Sequence, residues 1–180
     1  MKLSLPAFSR TNQGFTLIES LLYIVLFSII IGGALVAVYQ MIESSDAVSA
    51  KNIVEMEGSF LLRKIDWALT GLDLSPTSVP IISPALGATS TLLSVNKKDF
   101  GPSNPIEIDI NSGSVWLRRG TGDFAILNSE NIKVDQFKFE HFDTDGTGGK
   151  PAGIKASFYI SAKTDPDKTY YFETTKYLRR

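Results

Sequence analysis

Gly14-Phe15-Thr16-Leu17-Ile18-Glu19 stands immediately before Ser20 and the apolar run LLYIVLFSIIIGGALVAVY, residues 21–39. From Ser20 to Ile42 no side chain is charged, a stretch of 23 residues. At ~1.5 Å per helical residue such a stretch reaches ~35 Å, enough to cross a hydrocarbon core of ~30 Å with some tilt. The preceding segment, MKLSLPAFSRTNQG, carries Lys2 and Arg10 and no acid. The first charges after the run are Glu43 and Asp46, and the first base is Lys51. Positive flanks favour the cytoplasmic side, so the bulk of the chain is expected to face outward.

Three readings compete for this segment. A secretory signal peptide would use Leu21 to Ile31 as its apolar region and Gly32-Gly33-Ala34 as small residues for cleavage. An uncleaved signal anchor would simply stay in the membrane. Neither gains anything from Glu19, because a carboxylate inside an apolar segment costs about 2.5–3.5 kcal/mol at a helix centre and less near the interface. Such a residue marks a partner or a function, unless it snorkels to the headgroups.

With its short basic leader, terminal Gly14, Phe15-Thr16-Leu17-Ile18-Glu19 and long apolar helix, the N-terminus resembles the type IV pilin-like family. That family comprises type IV pilins, type II secretion pseudopilins and competence pseudopilins. The resemblance implies that a membrane prepilin peptidase cuts after Gly14 and methylates the new N-terminal Phe15. Glu19 then becomes the fifth mature residue, the family's assembly glutamate. Cleavage frees a cationic amine on Phe15, and a neighbouring subunit's Phe15 amine can satisfy Glu19. Two charges attract far more strongly at low dielectric than in water, although desolvation opposes the gain.

Major pilins of the family commonly carry a proline at the position occupied here by Val36. This chain has no proline between Phe15 and Pro76, and Gly32-Gly33 offers the local flexibility instead. In this respect it is similar to the minor subunits, including the J type of type II secretion. A fifth-position glutamate argues against the K-type tip subunit. The resemblance is strongest over residues 10–42. The implied partners are prepilin peptidase, other pilins or pseudopilins, the inner-membrane assembly platform and membrane lipid. The implied location is the inner membrane, as a single pass with the C-terminal domain outside, and then a pilus or pseudopilus.

The helix is expected to continue beyond the membrane, from Phe15 to about Thr70. Val54, Leu61, Ile65, Ala68, Leu69 and Leu72 recur at spacings of three, four and seven, an apolar stripe suited to packing on a sheet. Glu55, Arg63, Lys64, Asp66 and Thr70 lie opposite. Gly71 and Pro76 are stop signals. A short coiled coil is the competing reading of the stripe.

Residues Asp73 to Ala88, rich in Pro, Ser and Gly, read as an extended connection. Strand signals follow at 106–110, at 115–118 after an Asn111-Ser112-Gly113 turn, at 124–127, from 132, at 154–161 as a half-buried strand, and at 170–178. Ile132 and Val134 are even, whereas Phe137 and Phe139 are odd, so a β-bulge is expected near Asp135-Gln136. Helix first and antiparallel hairpins afterwards is an α+β order. The expected organisation is a leader over 1–14, a transmembrane and assembly helix over 15–42, an amphipathic helix over 43–72, and connection plus sheet over 73–180.

Composition narrows the chemistry. Eighteen Lys and Arg oppose 19 Asp and Glu, so the strong basic excess of a nucleic-acid protein is missing and no nucleic-acid partner is expected. With no cysteine and one histidine, disulfides, thiolate sites and multi-histidine metal centres within one chain are excluded. No nucleophile–base pair, phosphate loop or zinc spacing occurs, so neither enzyme nor cofactor is expected. Asp143-Thr-Asp-Gly-Thr-Gly-Gly149 looks acidic enough for calcium, but an EF-hand loop needs a bidentate Glu where Ile154 stands. A polar hairpin loop is the plainer reading. The strand model also puts Asp143 and Asp145 at the opposite end of a strand from Asp165 and Asp167. His141 reads as structural. Trp116 with Arg118-Arg119 reads as a contact surface or a solvated hairpin end. Two rivals to a pilin-like subunit remain from other classes: a membrane-anchored extracellular binding domain that never polymerises, and an anchored enzyme.

Overall fold

The computed structural model describes residues 15–73, 82–142 and 152–178. Helix α1 spans Leu17–Ala68. Eight strands follow among the described residues: β1 Thr89–Ser90, β2 Leu93–Val95, β3 Ile106–Asn111, β4 Ser114–Arg119, β5 Ala125–Ile126, β6 Ile132–Phe142, β7 Gly153–Ala162 and β8 Asp165–Tyr177. The chain divides into two compact units, Met1–Ser45 and Asp46–Arg180.

Helix α1 starts two residues later and ends two residues earlier than its apolar pattern suggests, and local chemistry explains both ends. At the start, the Glu19 N–H reaches the Thr16 carbonyl at 3.1 Å and the Thr16 hydroxyl at 3.4 Å, so Thr16 caps the first turn. At the end, the Thr70 hydroxyl donates to the Asp66 carbonyl at 2.7 Å and Gly71 turns the chain out at φ +70°. That left-handed conformation suits a residue without Cβ. Lys97 completes the cap: its ammonium donates to the Trp67 carbonyl at 2.7 Å, placing a cation on the negative end of the helix.

The strands form two antiparallel sheets rather than one. The first has the order β1-β6-β7-β8 and the second β2-β3-β4-β5. The β3–β4 hairpin closes through Ser112 and Gly113, both with positive φ, which matches the twist of the flanking strands. The expected bulge is present: β6 slips register against β7 between Asp135 and Lys138, and Gln136 has φ +50°. Ile132, Val134, Phe137, Phe139 and His141 are thereby all turned inward. Strand β7 departs from the half-buried reading. It lies between β6 and β8, and Ser157 and Ser161 on its second face are also buried.

Within the second unit α1 packs its stripe on this framework. Ala50, Val54, Gly58, Leu61, Ile65 and Ala68 are buried, joined by Ile106, Ile108, Phe139, Phe158 and Ile160 in one core. Gly58 is required by close approach. A Cβ there would run into the ring of Phe172, which stacks on Phe158 at 5.7 Å. Lys176 on β8 adds an ion pair to Asp66 on α1 at 2.8 Å. Of the connection expected over 73–88, residues 74–81 lie outside the described residues. Ser83 pairs with Ser94 through two backbone hydrogen bonds of 2.9 and 3.0 Å.

Candidate functional site

The N-terminal turn of α1 holds two of the three residues singled out in the sequence. Gly14 lies outside the described residues. Phe15 is exposed and sets its ring edge-on to Tyr23 at 5.9 Å. Glu19 lies in the first helical turn, where the partial positive charge of the helix end favours a carboxylate. No described side chain gives that carboxylate a hydrogen bond or an ion pair. Its backbone N–H serves the cap, and its acid group does not. A carboxylate left this way at the mouth of an apolar helix is available to a cation from outside the chain.

The helix that follows offers apolar surface on every side. Leu21, Leu22, Ile24, Leu26, Phe27, Ile29 and Ile30 are all exposed. Among the described residues this is the one helix long and apolar enough to cross a membrane, and none of its apolar window is buried inside the chain.

The other candidates resolve into structural parts. His141 is buried, and its Nδ1 donates to the Pro84 carbonyl at 2.9 Å, fastening the connection to β6. Asp143 and Asp145 lie outside the described residues. The strand ends flanking them do not: Phe142 pairs with Gly153 at one end of β7, and Ala162 pairs with Asp165 at the other. Asp165 is held by Lys168 at 2.8 Å. No cluster of three or more ligating side chains occurs among the described residues. Arg118 pairs with Glu107 across the β3–β4 ladder and lies over the Phe124 ring at 4.5 Å.

A second constellation was not readable in the sequence. Lys97 is buried with its ammonium 4.1 Å from the Trp67 ring centre and 4.9 Å from that of Phe100, while the Arg119 guanidinium lies 5.0 Å from Trp67. Burial, and then the charge of Arg119, pushes the Lys97 amine below its ordinary value. These residues come from α1, β4 and the segment after β2. No local pattern joins positions 67, 97 and 119.

Comparison with known families gives one match. The family described as Prokaryotic N-terminal methylation motif matches residues 9–35, a span that includes Gly14, Phe15 and Glu19. None of the curated proteins and none of the solved structures compared matches this chain. A long N-terminal helix followed by antiparallel strands is an α+β architecture consistent with a pilin fold. The matched segment is the type IV pilin-like prepilin motif, the kind of segment that prepilin peptidase processes.

Proposed function

We propose that this chain is a minor pilin or pseudopilin, a structural rather than catalytic subunit of a type IV filament-type machine. Prepilin peptidase cuts between Gly14 and Phe15 and methylates the new amine of Phe15. The subunit waits in the inner membrane with residues 46–180 outside, then enters a pilus or pseudopilus through its N-terminal helix and the assembly platform. The Phe15 amine of one subunit pairs with Glu19 of the next. The observation that carries this reading is the methylation motif over residues 9–35, followed by a helix whose one early carboxylate has no partner among the described residues. The proline-free helix favours a minor subunit, with the J-type pseudopilin of type II secretion as the specific alternative.

Mass-spectrometric mapping of the N-terminus after coexpression with a prepilin peptidase tests the processing step. A mature chain starting at Phe15, one methyl group heavier, is expected, and Gly14→Val is expected to abolish it. A start after Ala34 or an intact Met1 contradicts the reading and favours a secretory signal or a plain anchor.

A further inference from the structure

Phe60, Arg63, Lys64 and Trp67 lie three, four and seven positions apart on α1, so they share one stripe beside the buried one. Together with Arg119 at the end of β4 they line a depression of about 550 Å³. The six ion pairs among the described residues neutralise Lys51, Arg118, Lys133, Lys155, Lys168 and Lys176. None reaches Arg63, Lys64, Arg119 or the Lys97 beneath Trp67. Ring faces hold three of these cations instead: Lys64 stands 5.3 Å from the centre of Phe60, and Arg119 and Lys97 share Trp67. A ring face attracts a cation but carries no net charge, and Lys97 is already taken by the helix end, so the mutual repulsion of Arg63, Lys64 and Arg119 is relieved by no ion pair among the described residues. We propose that this surface is a docking site for an acidic peptide segment of a partner protein.

Two features favour a peptide carboxylate over other anions. Phe60 and Arg63 also line a larger groove of about 970 Å³ that runs past Met56 toward Leu127 and carries Glu55 and Glu57 on its wall, so the depression opens into a space for further residues of a peptide whose carboxylates stay at the Trp67 end. Met56 is 72% exposed there and gives a partner's apolar side chains a flexible contact. A nucleic-acid strand fits less well. Four positive charges on a chain of net charge −1 supply little of the long-range attraction that polyphosphate binding uses. The partner segment therefore places carboxylates over Trp67 and apolar residues toward Met56.

The full chain in detergent micelles, carrying Trp116→Phe, provides the test. The Trp116 indole nitrogen has no hydrogen-bond partner, so this change loses none and leaves Trp67 as the only fluorophore of its kind. Hexaglutamate is expected to change Trp67 emission saturably, whereas hexaglutamine does not. Removing two charge-assisted contacts in Arg63→Ala/Arg119→Ala should weaken hexaglutamate binding at least ~10-fold, and Arg119→Lys should retain most of it. Both arginines are exposed, so the double variant is expected to melt like its parent. A non-saturable response, equal binding of hexaglutamine, or unchanged affinity in the double variant overturns the proposal. Tighter binding of hexathymidylate than of hexaglutamate overturns it in favour of nucleic acid.

Discussion

Leu21 and Ile24 are 57% and 65% exposed, whereas Leu61 and Ile65 on the same helix are 0% and 1% exposed. The residue types and the backbone are alike, and the difference lies in what covers them. After Asp46 the buried residues of α1 form one stripe packed in a core with β-strands, and the exposed Val48 and Met56 are exceptions outside it. Before Ser45 apolar residues occupy every face, which no single sheet can cover. Apolar surface left in water costs roughly 25 cal/mol per Å², so the first region must be satisfied by lipid or by other chains. One helix thus carries two kinds of stability, one supplied by this chain and one supplied from outside it.

The largest expected effect separates the two kinds. Leu61→Ala should lower the stability of the folded domain by about 2–5 kcal/mol, since it removes a fully buried side chain and leaves a cavity. Leu21→Ala should leave that unfolding transition where it was. Thermal or urea melts of the full chain in detergent, followed by tryptophan fluorescence, compare them directly. Equal losses would erase the distinction.

Glycines sharpen the same contrast. Alanine is a better helix former than glycine by about 1 kcal/mol, so propensity alone favours every Gly→Ala change in α1. At Gly58 the added methyl collides with Phe172, and overpacking of this kind costs about 1–3 kcal/mol. Gly58→Ala should therefore be net destabilising. At Gly32 and Gly33 a Cβ meets nothing within 4 Å of the same chain. Gly32→Ala should leave domain melting unchanged. A stabilised Gly58→Ala would mean that the helix and β8 sit further apart than described.

The smallest effect is electrostatic and belongs to the outer face of the first sheet. Glu173 accepts hydrogen bonds from Tyr171 and Lys155, which hold its carboxyl below its ordinary value of 4.5. A depressed folded value means that this stabilisation is complete above pH 4.5 and is lost as pH falls through the lower folded value. Glu173→Gln should flatten that part of the acid limb of a pH–stability curve. It should move the neutral-pH melt less than either core change does, because the groups are exposed. An unchanged acid limb would show that the cluster contributes nothing to folding.

Legibility in the sequence followed the range of the interaction. The helical stripe, the Gly71 stop and the bulge at Asp135-Gln136 were readable because each is a local pattern: a period, a φ requirement, a change of phase. The division into two sheets was not, because β1 joins β6 across about fifty residues and two-residue strands have no period to read. Strand β2 was missed for the same reason, being only Leu93–Val95. The second face of β7 was misjudged because burial of Ser157 and Ser161 depends on neighbouring strands rather than on serine itself. In the N-terminal motif, Phe15 and Glu19 stood out by sequence alone, since one apolar run makes a lone carboxylate conspicuous. The Lys97–Trp67–Arg119 constellation gave no such signal.

Glu19 offers the most direct test of the central claim, that the first region is completed by neighbouring chains. Single cysteines placed along residues 21–42 of this cysteine-free chain report contacts with partner pilins by crosslinking in the membrane. Glu19→Ala should still insert, be cleaved before Phe15 and fold its outer domain, but its crosslinks to partner pilins should be lost. Equal crosslinking in wild type and Glu19→Ala would contradict the account and leave a solitary anchored domain as the better description.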